Sequence, residues 1–385
     1  MKIVFFAVCL CSTFFLSAQS LPFYGRTAGL LPFLEYGLGD DRLGGAKMTY
    51  LDSNVLVKVV DSTTDDYKVQ LSAYHQAYLS KTSFKKDTSI RVKPYYLTGS
   101  FKVWGDYKYD YVSIALPEKL PYRSIQQISP ATLLVDVFGV TSNTNWITQL
   151  ETAKEIKNVW QEQIEDDVFR IHIELKHVQH WGYSIYYKGT ALQVRIKRQP
   201  SLNITKLIVA IDAGHGGSNS GASGNTSGIL EKDYTLRIAK EVESYFNKKG
   251  VGTFMTRCGD SDLTMVDRTL MLRQIDPDIL LSIHLNSSDN TTVSGVSTYY
   301  RYIGFRPLSQ TILARMLELG LNNFGNVGAF NFSLSGPTDY PNCLVEVAFL
   351  SNKGDEKLIQ DEGFHKKVAK QLYLGLQDWL KDMEK

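Results

Sequence analysis

Apolar residues recur along this chain with two different periods, and the change falls near residue 200. Up to that point the period is two, the signature of strands with one buried face. Asn54–Asp61 reads as a strand, and Tyr67, Val69 and Leu71 then alternate with Lys68, Gln70 and Ser72. Val112, Ile114 and Leu116 alternate with Ser113 and Ala115, and Leu133–Phe138 is almost continuously apolar. Phe169, Ile171, Ile173 and Leu175 alternate with Arg170, His172 and Glu174, and Leu192, Val194 and Ile196 with Gln193, Arg195 and Lys197. Short strands separated by turn signals predict a small barrel over 40–95 and a β-sandwich over 96–200, with the Gly-, Leu- and Pro-rich stretch 21–44 leading in.

Beyond the polar connection 197–205 the pattern alternates between strand and helix. Strands are predicted at 207–212, 251–257, 278–284, 296–300 and 343–349. Helices are predicted at about 231–248, 309–322 and 363–382. The first shows Ile238, Ala239, Val242, Tyr245 and Phe246 on one face and stops at Gly250. Such alternation predicts an α/β domain over 203–385 with helices on both faces of a mixed sheet. Its strands end on chemistry. The run Leu207–Asp212 leads through Gly214 to His215, followed by Gly216 and Gly217; a second apolar strand ends in His284. Glu231 opens the first helix, and Glu346 interrupts the apolar run Cys343–Phe349. Two imidazoles, one carboxylate and a spare carboxylate form the open pattern of a catalytic zinc site. Each has a plainer role alone: a turn for His215, a helix N-terminal charge for Glu231. A carboxylate inside an apolar strand needs a partner or a function, so Glu346 is harder to explain away.

Four blocks stand in order: Asp-Ala-Gly-His-Gly-Gly with His215, Leu-Glu-Lys-Asp with Glu231, Ser-Ile-His-Leu-Asn with His284, and Leu-Val-Glu-Val-Ala-Phe-Leu-Ser-Asn with Glu346. In this the segment 205–382 resembles the zinc-dependent N-acetylmuramoyl-L-alanine amidases. The resemblance implies Zn2+ held by His215, Glu231 and His284, with Glu346 as proton shuttle. It also implies cleavage of the amide between the lactyl group of muramic acid and L-alanine of the peptidoglycan stem. Val347 stands where the family usually has Gly, and Gln274-Ile275 where it often has Ala-Asn; neither removes a ligand. Asp212, Asn286 and Asn352 match the blocks in supporting roles. Upstream, residues 40–95 are similar in pattern to SH3-like domains. Residues 96–200, with Phe-Arg-Ile-His-Ile-Glu-Leu and Tyr-Lys-Gly-Thr-Ala-Leu-Gln-Val, resemble the AMIN wall-targeting module. Two other readings share these features: a zinc peptidase cutting within the stem, and a non-enzymatic wall-binding protein, which would be expected to lose a ligand or Glu346.

The formal charge of +2 argues against nucleic acid as partner and leaves peptidoglycan, whose charge is mixed. Residues 1–19 have a basic tip, a short apolar core and a small-residue end near Ala18 or Gln19. They read as a cleaved signal peptide rather than an anchor, with Cys9 and Cys11 misplaced for a lipoprotein. No other stretch is apolar enough to span a bilayer. The expected location is therefore periplasmic or cell-wall associated, after secretion across the inner membrane. Only Cys258 and Cys343 remain after cleavage, and two buried free thiols are expected rather than a bridge. His177 and His180 read as a surface turn, and His75, His172 and His365 as structural. The interval 286–342 is filled by a strand, a core-packing helix and a Gly-rich run. An open site without an inserted blocking helix is therefore expected, with activity in the 203–385 fragment.

Overall fold

The computed structural model describes residues 21–39, 43–93 and 95–384; the expected signal peptide lies outside them. The N-terminal unit is a seven-stranded antiparallel sheet in the order 47–50, 33–35, 76–80, 66–70, 56–62, 23–27, 84–86. The stretch read as a lead-in therefore supplies two strands, Phe23–Thr27 and Phe33–Glu35. Its Gly/Pro content hid them, because they are short and only partly buried.

The next unit stacks two sheets. One has the order 122–128, 131–138, 168–175, 156–165; the other 147–149, 101–105, 109–114, 191–197, 183–188. Alternation in Val168–Leu175 becomes alternating burial, and the continuous run Ala131–Phe138 is buried throughout. The price of that second pattern is a buried carboxylate, Asp136, which Arg123 and Arg170 neutralise at 2.9 and 2.6 Å. Buried residues of this sandwich and of the N-terminal sheet form one contiguous cluster, including Val59, Leu71, Leu120 and Phe138.

The C-terminal unit is a six-stranded mixed sheet, ordered 252–255, 208–213, 279–286, 342–349, 296–299, 323–327. The first four strands run parallel; Val296–Tyr299 pairs antiparallel with Asn342–Phe349. Helix α1, Glu231–Lys248, falls where its apolar stripe predicts and buries Ile238, Ala239, Val242 and Phe246. Helix α3 spans Arg306–Leu317, a few residues earlier than expected, because Pro307 is tolerated in a first turn. Three elements lacked a clear sequence signal: α2 (Met265–Ile275), α4 (Lys353–Ile359) and the edge strand Asn323–Val327. Helix α5, Glu362–Asp382, packs Phe364, Leu372, Leu376 and Trp379 into the core. Between residues 286 and 342 the only α-helix is α3, so the expected absence of an inserted helix holds.

The sandwich and the α/β unit are tightly joined. Trp181 lies in the α/β core with its ring 5.0 Å from that of Trp379. Tyr183 N donates to Thr338 O at 2.7 Å, and buried Lys197 pairs with Asp276 at 2.9 Å. Asp276 also receives Lys108 and the hydroxyl of Tyr109. The connection 197–205 is thus a packed joint, as its shortness suggests. His180 departs from the surface reading: it is buried, donating through Nε2 to Gln127 O at 2.7 Å, whereas His177 is half-exposed on Glu155. Both remaining cysteines are free, but only Cys343 is buried; Cys258 lies past its strand end and is exposed.

Candidate metal centre

The site forms where the parallel strands end at their carboxyl edge, the usual position for ligands in an α/β sheet. Strand Ile208–Ala213 delivers the chain to His215, whose φ is +62°. Two buried arginines hold this turn. Arg257 donates to Ala213 O and Gly214 O at 2.9 and 2.8 Å, and Arg268 donates to His215 O at 2.5 Å. Arg268 is itself fixed by Asp212 (2.5 Å), which also accepts from Thr256 and Ser282. Burial would raise the Asp212 carboxyl; Arg268 and the other donors outweigh it and hold it below its ordinary range. This buried network sits directly under the site and fixes the backbone that carries His215.

The three predicted ligands meet. His215, Glu231 and His284 present ligand atoms that all lie within 4.8 Å of one another. Glu231 Oε1 is 3.0 Å from His215 Nε2, 3.1 Å from His284 Nδ1 and 3.0 Å from the backbone N of Leu285. Its Oε2 accepts from Ala222 N at 2.8 Å. Glu231 is the first residue of α1, where the helix dipole favours an anion. Burial would raise its carboxyl, but the two imidazoles outweigh this and hold it well below the usual carboxylate range. Burial likewise pulls His215 down, and Glu231 more than compensates. His215 Nδ1 is held 2.9 Å from Asn219 Oδ1, which leaves Nε2 turned inward. The buried Nε2 of His284 has no hydrogen-bond partner, so this ring can offer a lone pair to a cation. The donor set and these orientations fit a small divalent metal.

Glu346 stands opposite His284 in strand register and lines the same cleft of about 410 Å³. Asn286 and Asn352 keep supporting places: Asn286 Nδ2 reaches Tyr299 OH at 3.3 Å, and Asn352 caps α4. Sequence reasoning did not anticipate Asn219, Arg257, Arg268 or the aromatic pair Phe330 and Phe332. The one available signal was the Thr264–Asp267 capping box that starts α2 and so places Arg268. Phe332 meets the His284 ring edge-on at 5.1 Å. A larger cleft, about 500 Å³, lies between the N-terminal sheet and the sandwich and is lined by Tyr24, Lys58, Lys93 and Asp167. It holds no His/Cys/Asp/Glu cluster of metal-ligand geometry among the described residues.

Fold and site together define an α/β domain with a three-residue metal-ligand cluster at its strand ends and a fourth carboxylate alongside. Residues 209–378 match the N-acetylmuramoyl-L-alanine amidase family and residues 100–208 match the AMIN domain, so the C-terminal domain belongs to that amidase family and follows an AMIN domain. The probable cell wall amidase LytH of Staphylococcus epidermidis is 35% identical over 164 residues, covering 42% of this chain and 54% of that protein. The Staphylococcus aureus protein of the same name is 34% identical over the same length. The chain thus spans about half the length of the curated relatives it matches. Among solved structures, the catalytic domain of the amidase CwlV from Bacillus (Paenibacillus) polymyxa is 30% identical with a TM-score of 0.44, covering 46% of this chain and 98% of that one. No helix of the described residues is long and apolar enough to cross a membrane.

Proposed function

We propose that this protein is a zinc-dependent peptidoglycan amidase that cleaves the bond between N-acetylmuramic acid and the L-alanine of the stem peptide. The observation that carries the reading is the convergence of His215, Glu231 and His284 beside Glu346, inside a domain of the amidase family. His215, Glu231 and His284 are the zinc ligands and Glu346 is the catalytic base and acid. Zinc bound there supplies Lewis acidity and lowers the pKa of water toward about 7. Glu346 takes a proton from the attacking water as its oxygen bonds to the amide carbonyl carbon. The same carboxyl then returns the proton to the nitrogen as the C–N bond breaks, leaving a lactyl carboxylate and a free alanine amine. Asn219 and Arg268 act through His215: one fixes its ring, the other its backbone.

The AMIN domain and the N-terminal sheet, which we read as SH3-like, would hold the enzyme on the wall. The leader at residues 1–19 would direct it to the periplasm or the cell wall. Digestion of purified sacculi tests the reading. Mass spectrometry should find intact stem peptides beginning with L-alanine, and their release should stop with a chelator and resume with zinc. Products shortened within the stem would instead favour a peptidase, and no release at all a binding protein.

A further inference from the structure

Segment Leu43–Lys47 leads into the edge strand Lys47–Tyr50 of the N-terminal sheet, yet it touches the catalytic cleft. Its contacts converge on Asn331, between Phe330 and Phe332. Asn331 Oδ1 accepts from Lys47 N at 3.1 Å and from Arg301 Nη1 at 2.7 Å. Its Nδ2 donates to Gly45 O at 2.7 Å and to Leu43 O at 3.3 Å. Both acceptor sites and both donor hydrogens of the amide are therefore used. Arg301 closes the ring by donating to Lys47 O as well. The approach is tight: a Cβ on Gly336 would stand 3.1 Å from the Tyr50 ring. Phe330 and Phe332 stack on each other at 6.2 Å, and Phe332 abuts His284. Leu43 lines the cleft together with Phe330, Phe332, Leu344 and Glu346.

We propose that the N-terminal sheet is one wall of the substrate cleft and that Asn331 is the positioning residue that fixes it there. The apolar rim of Leu43, Phe330 and Phe332 is a specificity surface. Resting on the amidase reading, it fits the two methyl groups that flank the scissile amide, one on the lactyl carbon and one on alanine. The rim couples a module distant in sequence to substrate binding, since Asn331 makes its hydrogen bonds to Leu43, Gly45, Lys47 and Arg301. The fragment 203–385 lacks Leu43 and the backbone groups that Asn331 binds, so it should bind substrate less well than the full chain.

The test uses the zinc-loaded full mature chain, a soluble muramyl peptide headed by L-alanine, and amide hydrogen exchange. Asn331→Ala should raise KM about fivefold to twentyfold while kcat stays within about twofold, as expected for lost ground-state contacts. Its zinc content should not change, and exchange should accelerate together in residues 43–50 and 328–335. Leu43→Ala trims the rim without touching the clasp. It should raise KM about threefold or more, and leave exchange unchanged. KM unmoved in both variants, or a kcat loss that tracks zinc loss, would overturn the proposal. A wild-type chain that frees no stem peptide would sink the amidase reading instead. The paired exchange response would then decide the clasp by itself.

Discussion

Gly214 shows how little room the site leaves around a single atom. A Cβ there would stand 2.5 Å from the His284 ring, and one on Gly221 would stand 2.4 Å from Glu231 Oε2. The glycines around His215 therefore allow the two imidazoles and the carboxylate to close on one point. Glu346 makes no such demand, and its role is separable. Glu346→Gln should keep zinc stoichiometry and the fold while lowering kcat by about 10²- to 10⁴-fold, the usual worth of a general acid–base group. Metal analysis beside the rate decides it: zinc lost in step with activity would make Glu346 a ligand. At this scale the sequence was informative for residues whose chemistry is unusual in their setting, a His after a buried strand or a Glu within one. It was silent on Asn219, Asn331 and the two arginines, because polar residues of those types stand on most surfaces. Only the fold shows that Arg268 is buried and that Asn331 is a joint.

Helix α2 was missed for a physical reason. Its buried positions are Arg268, Thr269 and Leu272, so no apolar stripe marks it, and its signal is the capping box of Thr264 and Asp267. Thr264→Ala should cost about 1 kcal/mol in a urea melt. Activity should hardly change if Arg268 keeps its place; a large loss of activity at unchanged stability would contradict the capping account. The strands of the sandwich offer a pH test. Burial would raise the Asp136 carboxyl above its ordinary 3.8, and hydrogen bonds from Arg170 and Arg123 outweigh this and lower it. A carboxyl lowered in the native state contributes stability above its unfolded value and loses it as pH falls through the native one. Stability should therefore hold down to roughly pH 4 and decline below it. Asp136→Asn should cost about 3 kcal/mol at pH 7 and flatten that acid decline. An unchanged acid slope in urea midpoints would place the titration elsewhere. Long helices and alternating strands were legible because their burial follows their period. The edge strand Asn323–Val327 and the early strands Phe23–Thr27 and Phe33–Glu35 were not, because few of their residues are buried.

Across the molecule, the units behave as one packed body, which linear reading of three segments does not convey. Asp276 is the clearest tie between sandwich and α/β unit. Lys197 is only 2% exposed, so Asp276→Ala would strand an ammonium in the interface. The expected penalty is about 3–5 kcal/mol; calorimetry should show one transition for the wild type and separate melting of the units in the variant. A variant that still melts in one transition at an unchanged temperature would show that the tie adds nothing. Trp181 carries a different consequence. It is contributed by the sandwich segment but packed in the amidase core against Trp379. Recombination that exchanged this β-sandwich module for another, with a crossover at residue 203, would remove an indole from the core of the unit it left behind. The heritable unit of the C-terminal domain therefore begins about 27 residues before its first strand, Ile208–Ala213, and lineages that shuffle such modules would have to carry that tail across intact or evolve a substitute for it.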